Sequence, residues 1–279
     1  RIHHFFILFS AVQLTAAPCV VWDLGYTLVR PSTSVLKDFI GTGDYLFYTL
    51  FDGGSSDDLQ KKVFEILESL EGCQSGDYIA CTHTGIPMPQ ALISWQSGAR
   101  TGTDILEAAQ ARAEEWRATD FFASSREYRL VHNALKIMLD PEILAQSMKP
   151  IKKMVKIMQE LADTGVEQHI LSNWDPVSFE NLIESSQCSE IFEIVAPSHR
   201  MISGACGITK PHATIYQQFC TMHEKLPEEC IIIDDQAENC ATAESLGMKV
   251  IRVNYREKNY REIKDQLQTF GLLPKKDLQ

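Results

Sequence analysis

Apolar residues recur along this chain in two rhythms. Short unbroken runs, Cys19-Val20-Val21-Trp22, His169-Ile170-Leu171 and Cys230-Ile231-Ile232-Ile233, read as strands buried on both faces. Ile191–Ala196 and Lys249–Asn254 read as two more. Between them the spacing turns helical. Ile151, Met154, Val155, Met158 and Leu161 share one face, and Gly165 ends that helix. Val177–Ser185 predicts a second helix, and Pro211 starts a third with Ile215, Phe219 and Met222 on one face. A fourth runs from Asp235 to Leu246 and stops at Gly247. Strands alternating with helices imply an α/β fold with a doubly wound parallel sheet.

From Val29 to about Ser147 the rhythm is helical throughout. Leu59, Val63, Ile66, Leu67 and Leu70 make one amphipathic stripe. Thr103 caps a helix that runs to Trp116, and Leu130, Ala134, Ile137 and Met138 mark another. An all-helical segment is thus inserted between the first and second strands of the core.

The strand ends carry the chemistry. Asp23 closes the first run and opens Leu24-Gly25-Tyr26-Thr27, a turn with a hydroxyl four residues on. The second run ends in Ser172-Asn173, and the third in Asp234-Asp235 with Asn239 four residues later. Lys210 sits in Gly207-Ile208-Thr209-Lys210-Pro211, just before a helix. Open parallel sheets bind ligands at the carboxyl ends of their strands. There a carboxylate can attack an electrophile or hold a cation, and oxygen-rich clusters suit Mg²⁺. Taken singly, each segment is also an ordinary turn, cap or loop.

In this order the four segments resemble the four motifs of the haloacid dehalogenase-like (HAD) hydrolase superfamily. The resemblance covers about residues 19–30 and 148–255. It implies a HAD-like Rossmannoid core over 18–30 and 148–279, with residues 31–147 as a helical cap. It implies Asp23 as nucleophile, and Ser172, Asn173 and Lys210 as the phosphate-binding group. Lys210 would also count as catalytic. Asp23, the Gly25 backbone carbonyl and Asp235 would hold Mg²⁺, with Asp234 and Asn239 behind them. The implied activity is a Mg²⁺-dependent phosphomonoesterase working through an aspartyl-phosphate on a small phosphorylated metabolite. The chain departs from the family pattern at Gly25, where phosphatases usually carry a second aspartate as general acid and base. That loss removes a proton-transfer contribution of about 10² to 10⁴ in rate. Tyr26 or a residue of the insert is the candidate replacement. The glycine also keeps open a dehalogenase-like hydrolase attacking carbon, and a catalytically weak binding or regulatory member.

Composition adds limits. Apolar residues make up 44% of the 279, enough for a sizeable core, and the net charge of −11 disfavours nucleic acid. Lys152-Lys153 and Lys275-Lys276 read as solvated pairs. Arg100, Arg126 and Arg129 are candidate anion contacts in the insert, weighed against plain surface charges. Among eight cysteines, Cys19 and Cys230 read as buried thiols on central strands. Cys73 and Cys81 are the candidate disulfide in an exported chain. His169 and His212 read as surface or cap residues. Residues 1–17, with Arg1, an apolar stretch Phe5–Val12 and Ala16-Ala17, have the layout of a secretory signal peptide. That predicts export, with no stable membrane span because the stretch is too short.

Overall fold

The computed structural model describes residues 17–70 and 87–275. The expected signal peptide and the Cys73–Cys81 pair fall largely or wholly outside these residues. The chain begins with β1 (Cys19–Trp22) and a short β2 (Val29–Pro31). A helical stretch follows: α1 (Thr33–Ile40), α2 (Thr42–Phe51), α3 (Ser56–Glu68), α4 (Gln90–Gln96), α5 (Gly102–Arg117), α6 (Ser125–Leu139) and α7 (Pro141–Ser147). The chain returns through β3 (Met148–Pro150) to α8 (Lys152–Asp163), β4 (Gln168–Ser172), α9 (Pro176–Glu184) and α10 (Ser189–Ile194). It ends with β5 (Arg200–Ile202), α11 (Ser203–Cys206), α12 (Ala213–Met222), β6 (Cys230–Asp234), α13 (Ala237–Ser245), β7 (Lys249–Arg252) and α14 (Tyr260–Thr269).

The sheet order is β5-β4-β1-β6-β7, and every pairing in it is parallel. β1 lies at the centre, so the crossovers on its two sides diverge and leave a crevice at its carboxyl end. Alternation divides the core between the two faces of the sheet. Val20, Trp22, Ile170, Ile231 and Ile233 face one apolar cluster. Cys19, Val21, Leu171 and Ile232 face the other, which is covered by Ile215, Tyr216 and Phe219 of α12. Cys19 and Cys230 are register partners, both are buried free thiols, and their sulfurs lie 3.8 Å apart.

Local sequence explains most element ends. Ser55 caps α3 in a reciprocal pair with Asp58, and Asp140 and Asp175 cap α7 and α9. Four expectations are corrected. Ile191–Ala196 is not a strand: Ile191, Phe192 and Val195 bury one side of a short helical turn, α10, and the strand comes later as β5. Such short apolar runs fit either period. The cap of α5 is Thr101, whose hydroxyl accepts from Asp104 N–H at 3.0 Å, rather than Thr103. The helix after Pro211 starts at Ala213 with His212 as its cap, and Met222 is exposed. His169 is fully buried inside β4.

One element went unforeseen. β2 and β3 pair antiparallel, Val29 with Pro150, Arg30 with Lys149 and Pro31 with Met148. Ile151 N–H to Leu28 C=O and Ser32 N–H to Ser147 C=O, both 2.7 Å, extend the ladder at its two ends. The chain therefore enters and leaves its helical stretch side by side. No described helix is long and apolar enough to cross a membrane.

Candidate active site

Three strands deliver their end residues to one point. Asp23 follows β1, Ser172 ends β4 and Asp234 ends β6. Their backbones are held by the parallel ladder. The Asp23 N–H itself donates to Ile233 C=O at 2.9 Å. Lys210 comes from the loop before α12 and is almost fully buried. Its ammonium donates to Asp23 Oδ1 at 2.8 Å and to Asp234 Oδ2 at 2.6 Å. The Ser172 hydroxyl accepts weakly from Leu24 N–H at 3.4 Å and donates to Asp23 Oδ1 at 3.0 Å. Two donors therefore converge on one oxygen of Asp23.

Asn173 acts one step back. Its amide accepts from Lys210 N–H and donates to Lys210 C=O, each at 2.8 Å. This pair pins the lysine loop to the end of β4. Asn239 donates to both oxygens of Asp234, at 3.1 and 3.0 Å, and Gln236 N–H adds a third donor at 2.9 Å. Because a carboxylate only accepts, the Asn239 nitrogen must face it. That leaves Asn239 Oδ1 buried without a partner. Tyr216, which the sequence reading passed over, donates to Asn239 C=O at 3.0 Å and lies fully buried beside Lys210. Only its helical spacing on α12 signalled burial, and nothing signalled a polar role.

Asp23, Asp234 and Asp235 each offer an oxygen within 4.8 Å of the others. All three are buried, and among the described residues Lys210 is the one ammonium bonded to them. The electrostatics follow. Burial, reinforced by Asp234, raises the Asp23 carboxyl to about 6 against the pull of Lys210. Burial, with the charges of Asp23 and Asp234, pushes Asp235 up to about 9. Burial alone would lower Lys210, but the two aspartates more than offset it and hold the ammonium above its ordinary range. A donor set made of hard oxygens and short of positive charge fits a divalent cation such as Mg²⁺. Asp234 is already saturated by Lys210, Asn239 and Gln236, which leaves Asp23 and Asp235 as the freer ligands.

Gly25 lies two residues past Asp23, partly buried and bridged to Val29. A Cβ built there meets nothing within 4 Å, and its φ is not in the left-handed region. The left-handed residue is Tyr26, with φ 55°. Its ring packs edge-on to Tyr255 at 5.5 Å, and burial plus the charge of Asp235 hold its phenol above the ordinary range. Two of the arginines singled out above are engaged elsewhere: Arg129 clasps Asp44 with two bonds of 2.8 Å, and Arg126 binds Asp52 at 2.7 Å.

The helical stretch touches the core beside the site. Trp174 N–H donates to Ser203 Oγ at 3.0 Å, and that hydroxyl donates to Gln96 C=O at 2.5 Å. A Cβ on Gly98 would meet Gly204 C=O at 2.4 Å, so the chain just past α4 lies directly on α11. No sequence signal pointed to this contact.

The profile of the haloacid dehalogenase-like hydrolases matches residues 110–253. That span holds Ser172, Lys210, Asp234, Asp235 and Asn239, while Asp23 joins them through the fold. No curated protein matches the chain. Among solved structures, the fold is similar to a HAD family enzyme from Bacteroides thetaiotaomicron in complex with magnesium and inorganic phosphate. That pair has a TM-score of 0.51 at 13% identity, over 86% of this chain and 95% of that one. A predicted HAD-like hydrolase from Porphyromonas gingivalis gives 0.52 at 16%, over 90% and 98%. A structure described as a dehalogenase gives 0.52 at 13%, over 91% and 98%. With more than half its length matched by the family profile, this chain belongs to the haloacid dehalogenase-like hydrolases.

Proposed function

We propose that this hydrolase is a Mg²⁺-dependent phosphomonoesterase acting on a small phosphorylated metabolite, with Asp23 as nucleophile. The observation that carries this is the single ammonium of Lys210 wedged between Asp23 and Asp234 beside a third buried carboxylate. Carbon-centred displacement by Asp23 needs no such cluster. Mg²⁺ held by Asp23, Asp235 and the Gly25 carbonyl would neutralise phosphoryl charge. Asp23 attacks phosphorus in line, the ester P–O bond breaks as the alcohol leaves, and water then hydrolyses the aspartyl-phosphate to inorganic phosphate and free Asp23. Lys210 and Ser172, which both address Asp23 Oδ1, keep that carboxylate aimed and then serve the phosphoryl oxygens. Asn173 holds the Lys210 loop in place, and Asn239 holds Asp234. Residues 31–147 act as a cap over residues 18–30 and 148–279, shielding the intermediate from bulk water.

The specific observation favouring a second reading is Gly25. A dehalogenase-like displacement at carbon needs no acid at that position. The two readings separate cleanly. Purified protein is incubated with p-nitrophenyl phosphate and, separately, with a 2-chloro acid, each with Mg²⁺ and with EDTA. Phosphate release that EDTA and Asp23→Asn abolish is the expected result. Halide release indifferent to EDTA, without phosphatase activity, establishes the carbon reading. Magnesium binding without phosphate release from a panel of phosphorylated metabolites, and without halide release, marks a binding member of the family.

A further inference from the structure

At the opposite end of β4, about 10 Å of strand from Ser172, three imidazoles and a carboxylate meet. Glu167 precedes β4 and His169 is its second residue. His199 stands one position before Arg200, the register partner of Ile170, so it flanks His169 across the sheet. His223 follows α12 and packs from above. The rings of His169 and His199 stack at 4.4 Å, and those of His169 and His223 meet at 4.4 Å. Glu167, His169 and His199 each bring one ligand atom within 4.8 Å of the other two.

Hydrogen bonding leaves this cluster incomplete. His169 Nε2 bonds Glu167 Oε1 at 2.8 Å, and since a carboxylate only accepts, that nitrogen carries the proton. His169 Nδ1 therefore bears a lone pair, yet it is buried with no partner, in a fully buried residue. His223 Nε2 is likewise buried and unpartnered. A carboxylate that fixes the tautomer of a histidine is the usual support of a metal-ligating imidazole. The other charged neighbour is Lys225, which engages the far oxygen of Glu167, Oε2, at 2.5 Å and leaves Oε1 to the imidazole side.

We propose that His169 through its Nδ1, His199 and His223, with Glu167 fixing the His169 tautomer from the opposite ring nitrogen, form a second metal site that takes a nitrogen-preferring divalent ion, Zn²⁺ by its donor set. The ion holds together the start of β4, the approach to β5 and the end of α12. Tetrahedral zinc needs its donors about 3.3 Å apart, from metal–nitrogen bonds of about 2.0–2.1 Å. His199 and His223 are only partly buried and can close that gap.

The test uses the full chain with Mg²⁺ in excess, so that the carboxylate centre is occupied. Zn²⁺ affinity is measured by competition with a chromophoric chelator, and thermal unfolding is followed with and without Zn²⁺. The expected result is one tightly held zinc per chain, a zinc-dependent rise in Tm, and at least a tenfold loss of affinity in both His199→Ala and His199→Gln. Zinc-free melts of these variants should match the parent, because His199 is partly exposed. Asp235→Asn should keep the zinc. Zinc held equally well by the His199 variants, zinc lost in Asp235→Asn, or no zinc binding above that of magnesium would each overturn the site.

Discussion

Lys210 shows how one side chain can serve two carboxylates. Replacing it with Met leaves Asp23 and Asp234 buried and facing each other without a cation. Breaking a buried ion pair from one side typically costs about 3–5 kcal/mol. Lys210→Met should therefore lose stability on that scale in metal-free buffer, read by urea denaturation, as well as activity. Asp235 is the contrary case. Its carboxyl is pushed up to about 9 by burial and by its two acidic neighbours, so the metal-free fold must protonate it at neutral pH, and that burdens the fold. Asp235→Asn should raise the Tm of the metal-free protein while abolishing the Tm gain that Mg²⁺ gives. A fall in the metal-free Tm would count against the electrostatic account. Gly25→Asp is the third residue-scale test. The position has room for a Cβ and no left-handed φ, so the substitution should fold without strain. Tyr26 is a poor substitute acid, because burial and Asp235 keep its proton firmly held. Turnover of p-nitrophenyl phosphate should rise in Gly25→Asp, with less phosphorylated Asp23 trapped for mass spectrometry. No gain in a folded variant would show that another group already moves the proton. Asp23, Ser172, Asp234 and Asp235 were legible in the sequence because a polar residue closing an apolar strand stands out, and Lys210 because its loop, Gly207 to Pro211, falls in order among them. The roles of Asn173 and Tyr216 were not: each acts through a backbone group brought near only by the fold.

Elements were legible where their period was long. α8, with five buried residues from Met154 to Leu161, and the central strands follow directly from spacing. α10 did not, because Ile191-Phe192-Glu193-Ile194-Val195 suits a strand until α8 packs beside it. β2 and β3 were invisible, since each is short and neither alternates. The contact between the α4 end and α11 has its own test. Gly98 has φ +74°, and a methyl group there would meet Gly204 C=O at 2.4 Å. A non-glycine residue held at positive φ costs about 1–3 kcal/mol before any clash is counted. Gly98→Ala should therefore unfold at clearly lower urea, whereas Gly165→Ala, also at positive φ but in open space, should lose only the conformational part.

Across the molecule, two buried acids make stability fall in alkali. Burial raises the Cys188 thiol to about 12, and burial with the Glu127 hydrogen bond raises the Tyr48 phenol. Both groups hold their protons in the folded chain at pH values where the unfolded chain has lost them. The Cys188 contribution is complete below the ordinary thiol value of 9.0 and is lost as pH climbs toward about 12, whereas the Tyr48 contribution is complete below the ordinary phenol value of 10.0 and is lost above it. Unfolding free energy should fall from roughly pH 8.5 to pH 10.5 by about 1.4 kcal/mol for each pH unit above the Cys188 unfolded value of 9.0, with Tyr48 steepening the fall above 10.0. Cys188→Ala and Tyr48→Phe should each flatten the slope. The two groups lie in different regions, Cys188 in the turn between α9 and α10 and Tyr48 on α2 in the helical stretch. The β2–β3 pair separates those regions, and its geometry has an evolutionary reading. Pro31 and Met148 are register partners, so the ladder amounts to a hairpin whose turn has been exchanged for residues 32–147. Insertions at such a place leave the register of the sheet untouched, because both cut ends are already paired. A lineage can therefore swap, lengthen or prune the intervening helices without moving Asp23 relative to Ser172 or Asp234, and, with those helices as the proposed cap, substrate choice can drift while the chemistry stays fixed.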